Sequence, residues 1–308
     1  MSPHQSAPFG RVLTAMATPF DADGGVDVDA AASLASHLVD HGHDGLVIFG
    51  TTGESPTVTP PEQELVLRAV VEAVGKRACV IAGVGHYDTE HAVQLTRAAQ
   101  GCGVGGVLAV TPYYNKPPQA GILAQFRAVA DAGDVPVMVY DIPGRTGTKL
   151  AADTLARAAE HPRIVAVKEA TGDLYAGAWL LRSTDLALYC GDDALNLAWL
   201  AIGAVGIVSV VGHVAGERYR SMIAALDSGD LDEARRIDRS VLPAVEAIMN
   251  RTQGAIMVKA ALELQGLLGN RHVRLPLVPA TEEQVAELRL GLKAAELLNP
   301  PSKEEGTS

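Results

Sequence analysis

The amino-acid sequence predicts a closed (β/α)8 barrel followed by further helices. Short apolar runs alternate with longer amphipathic segments, a pattern typical of parallel strands joined by crossover helices. The alternation extends over about 210 residues without a shift in composition, which favours a barrel over the main alternative, a doubly wound sheet. Eight runs are strand candidates, at residues 12–17, 45–49, 79–83, 106–110, 135–140, 164–168, 186–190 and 206–210.

The segments between these runs suit helices, and several begin with Asp, Thr or Pro, which are common at helix starts. The clearest candidates are residues 29–41, 61–74, 89–102 and 151–160. After the last strand candidate, consecutive helices are predicted at residues 215–226, 231–249, 256–268 and 282–298. We therefore expect a barrel with the active site at residues 1–212, a C-terminal helical region at 213–298 and a flexible tail at 299–308.

The charge and the cysteines exclude several classes of protein. The chain has 308 residues and a net charge of -11, which argues against nucleic acid or an anionic membrane as a partner. Cys79, Cys102 and Cys190 have the spacing of neither a zinc site nor a disulfide framework. No basic segment followed by an apolar one begins the chain, and no apolar stretch reaches about 18 residues. We expect a soluble cytoplasmic protein with reduced cysteines.

Lys168 is the main candidate for a catalytic residue, because it ends the apolar run at residues 164–168 and a polar segment follows it. A lysine at the carboxyl end of a buried strand loses water around its stem, which lowers its pKa from about 10.4 toward about 7 or 8. The neutral amine can then attack a carbonyl group and form a Schiff base. The simpler alternative is a surface lysine that begins a loop.

Other polar groups follow the strands onto the same rim, where active sites of this fold lie. The segments concerned are residues 50–55, 111–115, 140–147 and 191–193. They supply hydroxyls and one guanidinium beside the amine. A Schiff-base enzyme acting on an α-keto acid needs the amine, a proton shuttle and groups that hold a carboxylate.

Each of these groups also has a simpler structural interpretation. Residues 50–55 could offer backbone N–H groups and hydroxyls to a carboxylate, or could form only a turn. Tyr114 and Tyr140 could relay protons, or could be packing residues at strand ends. Arg145 suits a second carboxylate, or a surface ion pair.

Several blocks together resemble the dihydrodipicolinate synthase family, which belongs to the pyruvate-dependent class I aldolase superfamily that includes N-acetylneuraminate lyase. The resemblance extends over residues 9–298. Its most specific blocks are GTTGES at 50–55, TPYYN at 111–115, IPGRTG at 142–147, VKEATGD at 167–173 and GDD at 191–193. These blocks in this order are much more specific than any one alone.

The resemblance implies a role for the amine and its proton relay. Lys168 would form the imine with pyruvate. Thr51, Tyr140 and Tyr114 would pass protons between the reacting centre and solvent, with Tyr114 contributed partly across a dimer interface.

It also implies how the substrates are held. Thr52 would bind the pyruvate carboxylate, and Arg145 would bind the carboxylate of L-aspartate 4-semialdehyde. Gly191 and Val208 would offer backbone groups near the bound substrate. The family forms tetramers from tight dimers, and its chemistry requires neither a metal nor another cofactor.

Two positions depart from the family pattern. Asp141 stands where Asn is most common, and Gly144 stands where Ser or Ala is most common, so the positioning of the second substrate is affected. Arg145 itself is present, whereas sialic-acid lyases usually lack this arginine. Its presence favours a synthase over a sugar-acid lyase.

Three other patterns carry weaker signals. Residues 101–106 match G-x-G-x-x-G, but they precede a strand, whereas a dinucleotide site follows one. The sequence His-Gly-His-Asp at residues 41–44 lies before the second strand, at the end of the barrel opposite to the expected active site. Histidines there suit the end of a helix. Asp192 and Asp193 could bind a cation, although capping the next helix is simpler.

The first hypothesis is therefore an enzyme that condenses pyruvate with L-aspartate 4-semialdehyde through an imine on Lys168. The product, 4-hydroxy-tetrahydrodipicolinate, belongs to lysine and diaminopimelate biosynthesis. The first alternative is an aldolase or lyase with the same imine and another aldehyde or sugar acid. The second is a catalytically silent barrel used for ligand sensing or assembly.

The resemblance also predicts weak regulation by lysine. Family members that lysine inhibits hold it at the dimer interface with His, Asn and Glu side chains, beside the first tyrosine of the pair, here Tyr113. The matching positions hold Pro60 and Gln63 in place of histidines, Tyr87 in place of asparagine and His91 in place of glutamate. We expect lysine to bind poorly, because no carboxylate meets its ammonium group.

Overall fold

The computed structural model describes residues 7–298, which contain a closed barrel of eight parallel strands with helices around it. Each strand pairs with the next along the chain, and the eighth pairs with the first, so the barrel leaves no strand edge open. The strands are β1 (Val12–Ala15), β2 (Gly45–Ile48), β3 (Cys79–Gly83), β4 (Gly106–Val110), β5 (Val137–Asp141), β6 (Ile164–Glu169), β7 (Ala187–Cys190) and β8 (Gly206–Ser209).

Helices connect the strands and continue after the last one. The helices of residues 7–298 are α1 (Val28–Asp40), α2 (Pro60–Val74), α3 (Thr89–Gly101), α4 (Gln119–Asp131), α5 (Pro143–Thr146), α6 (Ala152–Ala159), α7 (Leu174–Ser183), α8 (Asn196–Ile202), α9 (Gly212–Asp227), α10 (Leu231–Met249), α11 (Gly254–Leu264) and α12 (Glu282–Ala294). Aspartates cap four of them: Asp27, Asp88, Asp173 and Asp230 accept hydrogen bonds from backbone N–H groups of the first turns of α1, α3, α7 and α10.

Strand residues alternate between two apolar cores, because successive side chains of a strand point to opposite faces. Leu13, Val47 and Met138 belong to the core inside the barrel. Phe9 joins this core next to the start of β1, and its backbone N–H donates to Tyr189 Oη at 3.2 Å. The other set of strand residues packs against the helices in a larger outer core. Burial on both faces explains why the strands are almost wholly apolar.

The C-terminal helices pack against the barrel and against one another. Helix α9 contacts β1 and α10, α10 contacts α12, and α11 contacts α9, α10 and α12. The last helices are therefore an integral layer on one side of the barrel.

The predicted barrel and the predicted C-terminal helices are confirmed, and small differences at their ends have local causes. Strand β5 begins at Val137 and not at residue 135, because Pro136 has no N–H to donate to the ladder. Helix α11 ends at Leu264 and not at residue 268, since Gly266 follows with a φ of 72°. The division at residues 212 and 298 stays a prediction, and residues 299–308 lie outside the described residues. Within residues 7–298, no helix is long and apolar enough to cross a membrane.

Candidate active site

The amine of Lys168 lies inside the barrel near the carboxyl end of β6. The side chain is buried, and Nζ lies 4.5 Å from the centroid of the Tyr140 ring on β5. Lys168 and Tyr140 are register partners in the β5–β6 pair. A Cβ atom at Gly191 would lie 2.7 Å from Lys168 Cε, so glycine at this position leaves room for the lysine stem.

Burial has the largest influence on the pKa of Lys168 and lowers it to about 8. The carboxylate of Asp193 and the thiol of Cys190 act in the opposite direction, and Arg145 adds to the lowering. A substantial fraction of the amine is therefore neutral near physiological pH, as nucleophilic attack on a carbonyl group requires.

Asp193 is a site residue whose role the sequence did not reveal. Its Oδ2 accepts from the backbone N–H groups of Val210 and Val211, at 2.8 and 3.0 Å, and its Oδ1 accepts from Asn196 and from the Ser209 hydroxyl. This buried carboxylate thus ties the end of β8 to the segment after β7. It also supplies negative charge close enough to Lys168 to influence its pKa.

The loop after β2 forms one wall of the site in a conformation that only some residues tolerate. Phe49 and Glu54 have positive φ angles of 60° and 53°, an unfavourable backbone conformation for residues other than glycine. A Cβ atom at Gly83 would lie 2.1 Å from the Phe49 carbonyl oxygen, so the end of β3 must be glycine for the loop to lie there. Thr51 is exposed and Thr52 is buried.

A cavity of about 240 Å³ opens at this rim. Thr51, Tyr113, Tyr140 and Arg145 contribute to its lining, together with Gly83 of β3 and apolar side chains of β4. Arg145 lies on the short helix α5 and is exposed at the rim. The cavity therefore combines hydroxyl groups and a guanidinium, and the buried Lys168 amine lies next to its Tyr140 wall.

Tyr140 presents a protonated phenol to this cavity. Burial raises its pKa well above the usual value, while nearby Arg145 acts in the opposite direction. Its backbone carbonyl accepts a hydrogen bond from the Thr111 hydroxyl at 3.0 Å, which ties β5 to the end of β4. A fixed, neutral phenol can donate a proton to an oxygen atom that develops negative charge.

Five of the predicted site residues lie outside the cavity lining. The Lys168 amine lies next to the lining residue Tyr140, and Gly191 packs against the Lys168 stem. Tyr114 is 88% exposed and does not line the cavity, whereas the neighbouring Tyr113 contributes to the wall. Thr52 is buried in the loop beneath Thr51. Val208 is fully buried in the inner core, in β8.

The outer faces of β5 and β6 carry two further carboxyl groups. Asp141 and Glu169 are register partners, and each directly follows an inward-facing residue, Tyr140 or Lys168. Both carboxyl groups line a second cavity under α6 and α7. Burial raises the pKa of Asp141 to about 7, and the neighbouring Glu169 adds to this increase. Asp141 accepts weak hydrogen bonds from the Leu150 N–H, at 3.2 and 3.3 Å.

The weaker sequence signals have structural explanations. Residues 101–106 connect the end of α3 to the start of β4, whereas a dinucleotide site follows a strand. His41 ends α1, as predicted, but His43 is buried, and burial lowers its pKa to about 4. Its Nε2 accepts from Thr14 Oγ1 at 2.7 Å, so it is a neutral structural residue. Asp192 accepts from the Ala194 N–H, in agreement with capping.

Comparison with known proteins places this geometry in a family. Residues 8–295 match the model of the dihydrodipicolinate synthetase family. The chain is 59% identical over 294 residues to the 4-hydroxy-tetrahydrodipicolinate synthase of Kineococcus radiotolerans, covering 96% of each chain. It is 60% identical to the synthase of the same name from Acidothermus cellulolyticus, covering 94% of this chain and 93% of that one.

A solved structure gives the same result. The dihydrodipicolinate synthase of Cyanidioschyzon merolae, determined with lysine bound, superposes with a TM-score of 0.92 at 45% identity. The match covers 95% of this chain and all of that one. The similarity thus extends through both the barrel and the C-terminal helices.

Replacing Asp141 by asparagine should stabilise the protein at alkaline pH. The folded-state pKa of Asp141 is about 7, above its ordinary value of 3.8, so its contribution to stability is complete below about pH 4 and is lost as the pH rises through 7. Asparagine keeps an acceptor for the Leu150 N–H and carries no charge. We expect Asp141→Asn to gain about 2 kcal/mol at pH 8 and much less at pH 4.

Urea unfolding at both pH values measures this difference. Asp185→Asn, at an exposed position before β7, is the control and should show no pH-dependent gain. Equal effects of Asp141→Asn at pH 4 and pH 8 would contradict the burial argument.

Proposed function

Because the chain belongs to the dihydrodipicolinate synthetase family, we propose that it condenses pyruvate with L-aspartate 4-semialdehyde through an imine on Lys168. The observation that carries the proposal is the buried Lys168 amine, with a pKa of about 8, beside the Tyr140 phenol. Arg145 at the rim and the names of the relatives favour the synthase over a sugar-acid lyase. The product is 4-hydroxy-tetrahydrodipicolinate.

The reaction begins when the neutral amine of Lys168 attacks C2 of pyruvate. The resulting carbinolamine loses its hydroxyl group as water once that oxygen is protonated, and the C=N bond forms. Tyr140 lies next to the amine, and its neutral phenol suits this step. We assign Thr51 and Tyr114 to the rest of the relay, which returns the proton from solvent.

The carbon–carbon bond forms from the enamine. Loss of a methyl proton from the imine gives a nucleophilic C3, which attacks the aldehyde carbon of the second substrate. The amino group of that substrate then attacks the imine carbon, which closes the ring and frees Lys168. One molecule of water is released overall, at the imine step.

Substrate binding is assigned to groups around the rim. Thr52 and the loop N–H groups would hold the pyruvate carboxylate, and the planar fork of Arg145 would bind the carboxylate of the aldehyde. Gly191 and Val208 would present backbone groups to the bound substrate.

The exposed aromatic residues suit an oligomer. Tyr114, Tyr175 and Trp179 are 88%, 75% and 51% exposed, which is unusual for large apolar side chains. We propose a homotetramer built from two tight dimers, in which Tyr114 reaches the cavity of a neighbouring subunit. The three free cysteines suit a reducing compartment, and we propose the cytoplasm as the site of action.

Lys168→Ala should abolish imine trapping by pyruvate and borohydride. Lys259 is also buried, but its amine donates to Glu54 and to the His272 carbonyl, so it is not available to pyruvate. Mass spectrometry of the intact and digested protein measures the trapped adduct, with Lys76→Ala at an exposed loop position as the control. An adduct on a peptide that lacks Lys168 would contradict the mechanism, and no adduct on the native protein would favour a silent barrel.

Arg145→Ala should leave imine trapping nearly intact and impair use of the aldehyde. The lost charge-assisted contact should cost about 2 to 4 kcal/mol in kcat/KM for the aldehyde. Arg145→Lys, which keeps the charge without the planar fork, is the matched variant and should recover only part of the loss. Equal losses of trapping and turnover in Arg145→Ala would contradict this division of roles. A panel of aldehydes offered with pyruvate would test substrate preference directly.

Millimolar L-lysine should leave the activity almost unchanged. His91 lies in an aromatic cluster with His86, Tyr87 and Tyr113, in which ring centroids are 4.1 to 6.2 Å apart. A neutral or partly protonated imidazole cannot replace a carboxylate opposite an ammonium group. The loss of this charge and of several hydrogen bonds should weaken lysine binding at least about a hundredfold.

A steady-state assay with added lysine measures this effect. The relative from Cyanidioschyzon merolae, described with lysine bound, is a suitable positive control. His91→Glu should increase the sensitivity of this chain to lysine. Half-inhibition of the native protein below about 1 mM lysine would show that the charge argument is wrong.

A further inference from the structure

A fully buried ion pair joins the loop after β2 to the C-terminal helices. Lys259 of α11 donates from Nζ to Glu54 Oε1 at 2.5 Å, and each side chain is only 1% exposed. The pair connects residues 205 positions apart in the chain. Glu54 lies in the same loop as Thr51 and Thr52, which we have assigned to the proton relay and to the pyruvate carboxylate.

The C-terminal region satisfies both oxygens of Glu54. Oε1 accepts from Lys259, and Oε2 accepts from the backbone N–H of Arg274 at 2.9 Å. Lys259 is itself held in place, because Nζ also donates to the His272 carbonyl at 2.8 Å and lies 3.9 Å from the centroid of the Phe20 ring. The orientation of the Glu54 side chain is thereby fixed from the C-terminal side.

Arg274 holds the far end of the same loop. Its guanidinium donates to the Thr57 carbonyl at 2.7 Å and, through two nitrogens, to the Glu62 carboxylate at the start of α2. Burial lowers the pKa of Lys259 to about 8, and Glu54 opposes this decrease. Two ion pairs therefore hold the segment from Glu54 to Glu62 against α11 and the segment that follows it: Lys259 with Glu54, and Arg274 with Glu62.

Stability alone does not account for this arrangement. Removing two charges from water costs several kcal/mol per ion, and well-packed apolar side chains of similar volume are often as stabilising as a buried pair. A buried pair does fix one geometry, because both partners lose contacts if either moves. Here the fixed element is a loop in which Glu54 has a φ of 53°, a conformation that needs support from outside the loop.

We propose that Glu54 and Lys259 are positioning residues, which hold Thr51 and Thr52 in the geometry that binds pyruvate. The inference rests on the proposed function, since it assumes that the loop after β2 contacts pyruvate. It assigns the C-terminal helices a part in substrate binding, although none of their residues lines the cavity.

The test separates stability from positioning with a neutral double variant, Glu54→Gln with Lys259→Met. The double variant buries no charge, and the glutamine keeps an acceptor for the Arg274 N–H. We expect a melting temperature within about 5 °C of the native protein. We also expect an increase of about tenfold in the KM for pyruvate, slower imine trapping on Lys168 and a change below twofold in the KM for the aldehyde.

A second variant keeps the charges and changes only the geometry. Glu54→Asp shortens the link by one methylene group, so the loop must shift or the contact must lengthen. We expect it to raise the KM for pyruvate about fivefold while the melting temperature changes little. This variant decides the question if the double variant does not fold.

The control is a charge pair of the same region that does not contact the loop. Arg271 donates to Glu263 at 2.6 Å, so Glu263→Gln with Arg271→Met should leave the KM for pyruvate unchanged. A pyruvate KM within twofold of the native value in a folded double variant, or in Glu54→Asp, would overturn the proposal. If the native protein forms no borohydride-trapped imine with pyruvate, the proposed function itself is contradicted.

Discussion

The parallel register between β5 and β6 is the constraint on which the site depends. It places Tyr140 opposite Lys168 inside the barrel and, one residue further, Asp141 opposite Glu169 outside it. The period of two along a strand separates these pairs, so neighbouring residues experience different surroundings. Burial acts on both sides in the direction that disfavours charge: it lowers the pKa of the inner lysine and raises that of the outer aspartate. A slip of β6 by one residue would turn Lys168 to the outer face of the barrel and remove its amine from Tyr140.

The elements of the fold could be predicted because their signals are local. A run such as residues 106–110 is apolar, flanked by glycine and short, and it forms β4 with the predicted limits. The position of Lys168 could also be predicted, since the carboxyl ends of parallel strands share one rim. The placement of Tyr114 could not be read from the chain alone, because a side chain that is 88% exposed has no internal contacts to fix its role. The change of backbone direction at this tyrosine, where φ is 71°, is likewise a property of the folded loop.

The remaining polar groups were missed for a different reason. Asp193 and Glu54 act through partners that are distant in sequence, and no short motif records such pairs. A weak signal did exist for Lys259, which interrupts the apolar residues of α11 and would be costly to bury without a partner. The sequence could therefore have indicated that Lys259 has an acidic partner, but only the fold identifies that partner as Glu54.

Glycine in the wall of the cavity has a consequence for how this enzyme can change. At Gly83 the wall is bare backbone, and Gly191 packs against the stem of Lys168; an added Cβ atom at either position would lie within 3 Å of other atoms. No side chain exists there to be shortened, so substitutions at these positions can make the cavity smaller but not larger. New room for a bulkier aldehyde has to come from lining side chains such as Tyr113 and Ile142. Under the proposed assignment of the substrates, backbone constrains the keto-acid end, whereas the aldehyde end is lined by side chains and has more freedom to vary.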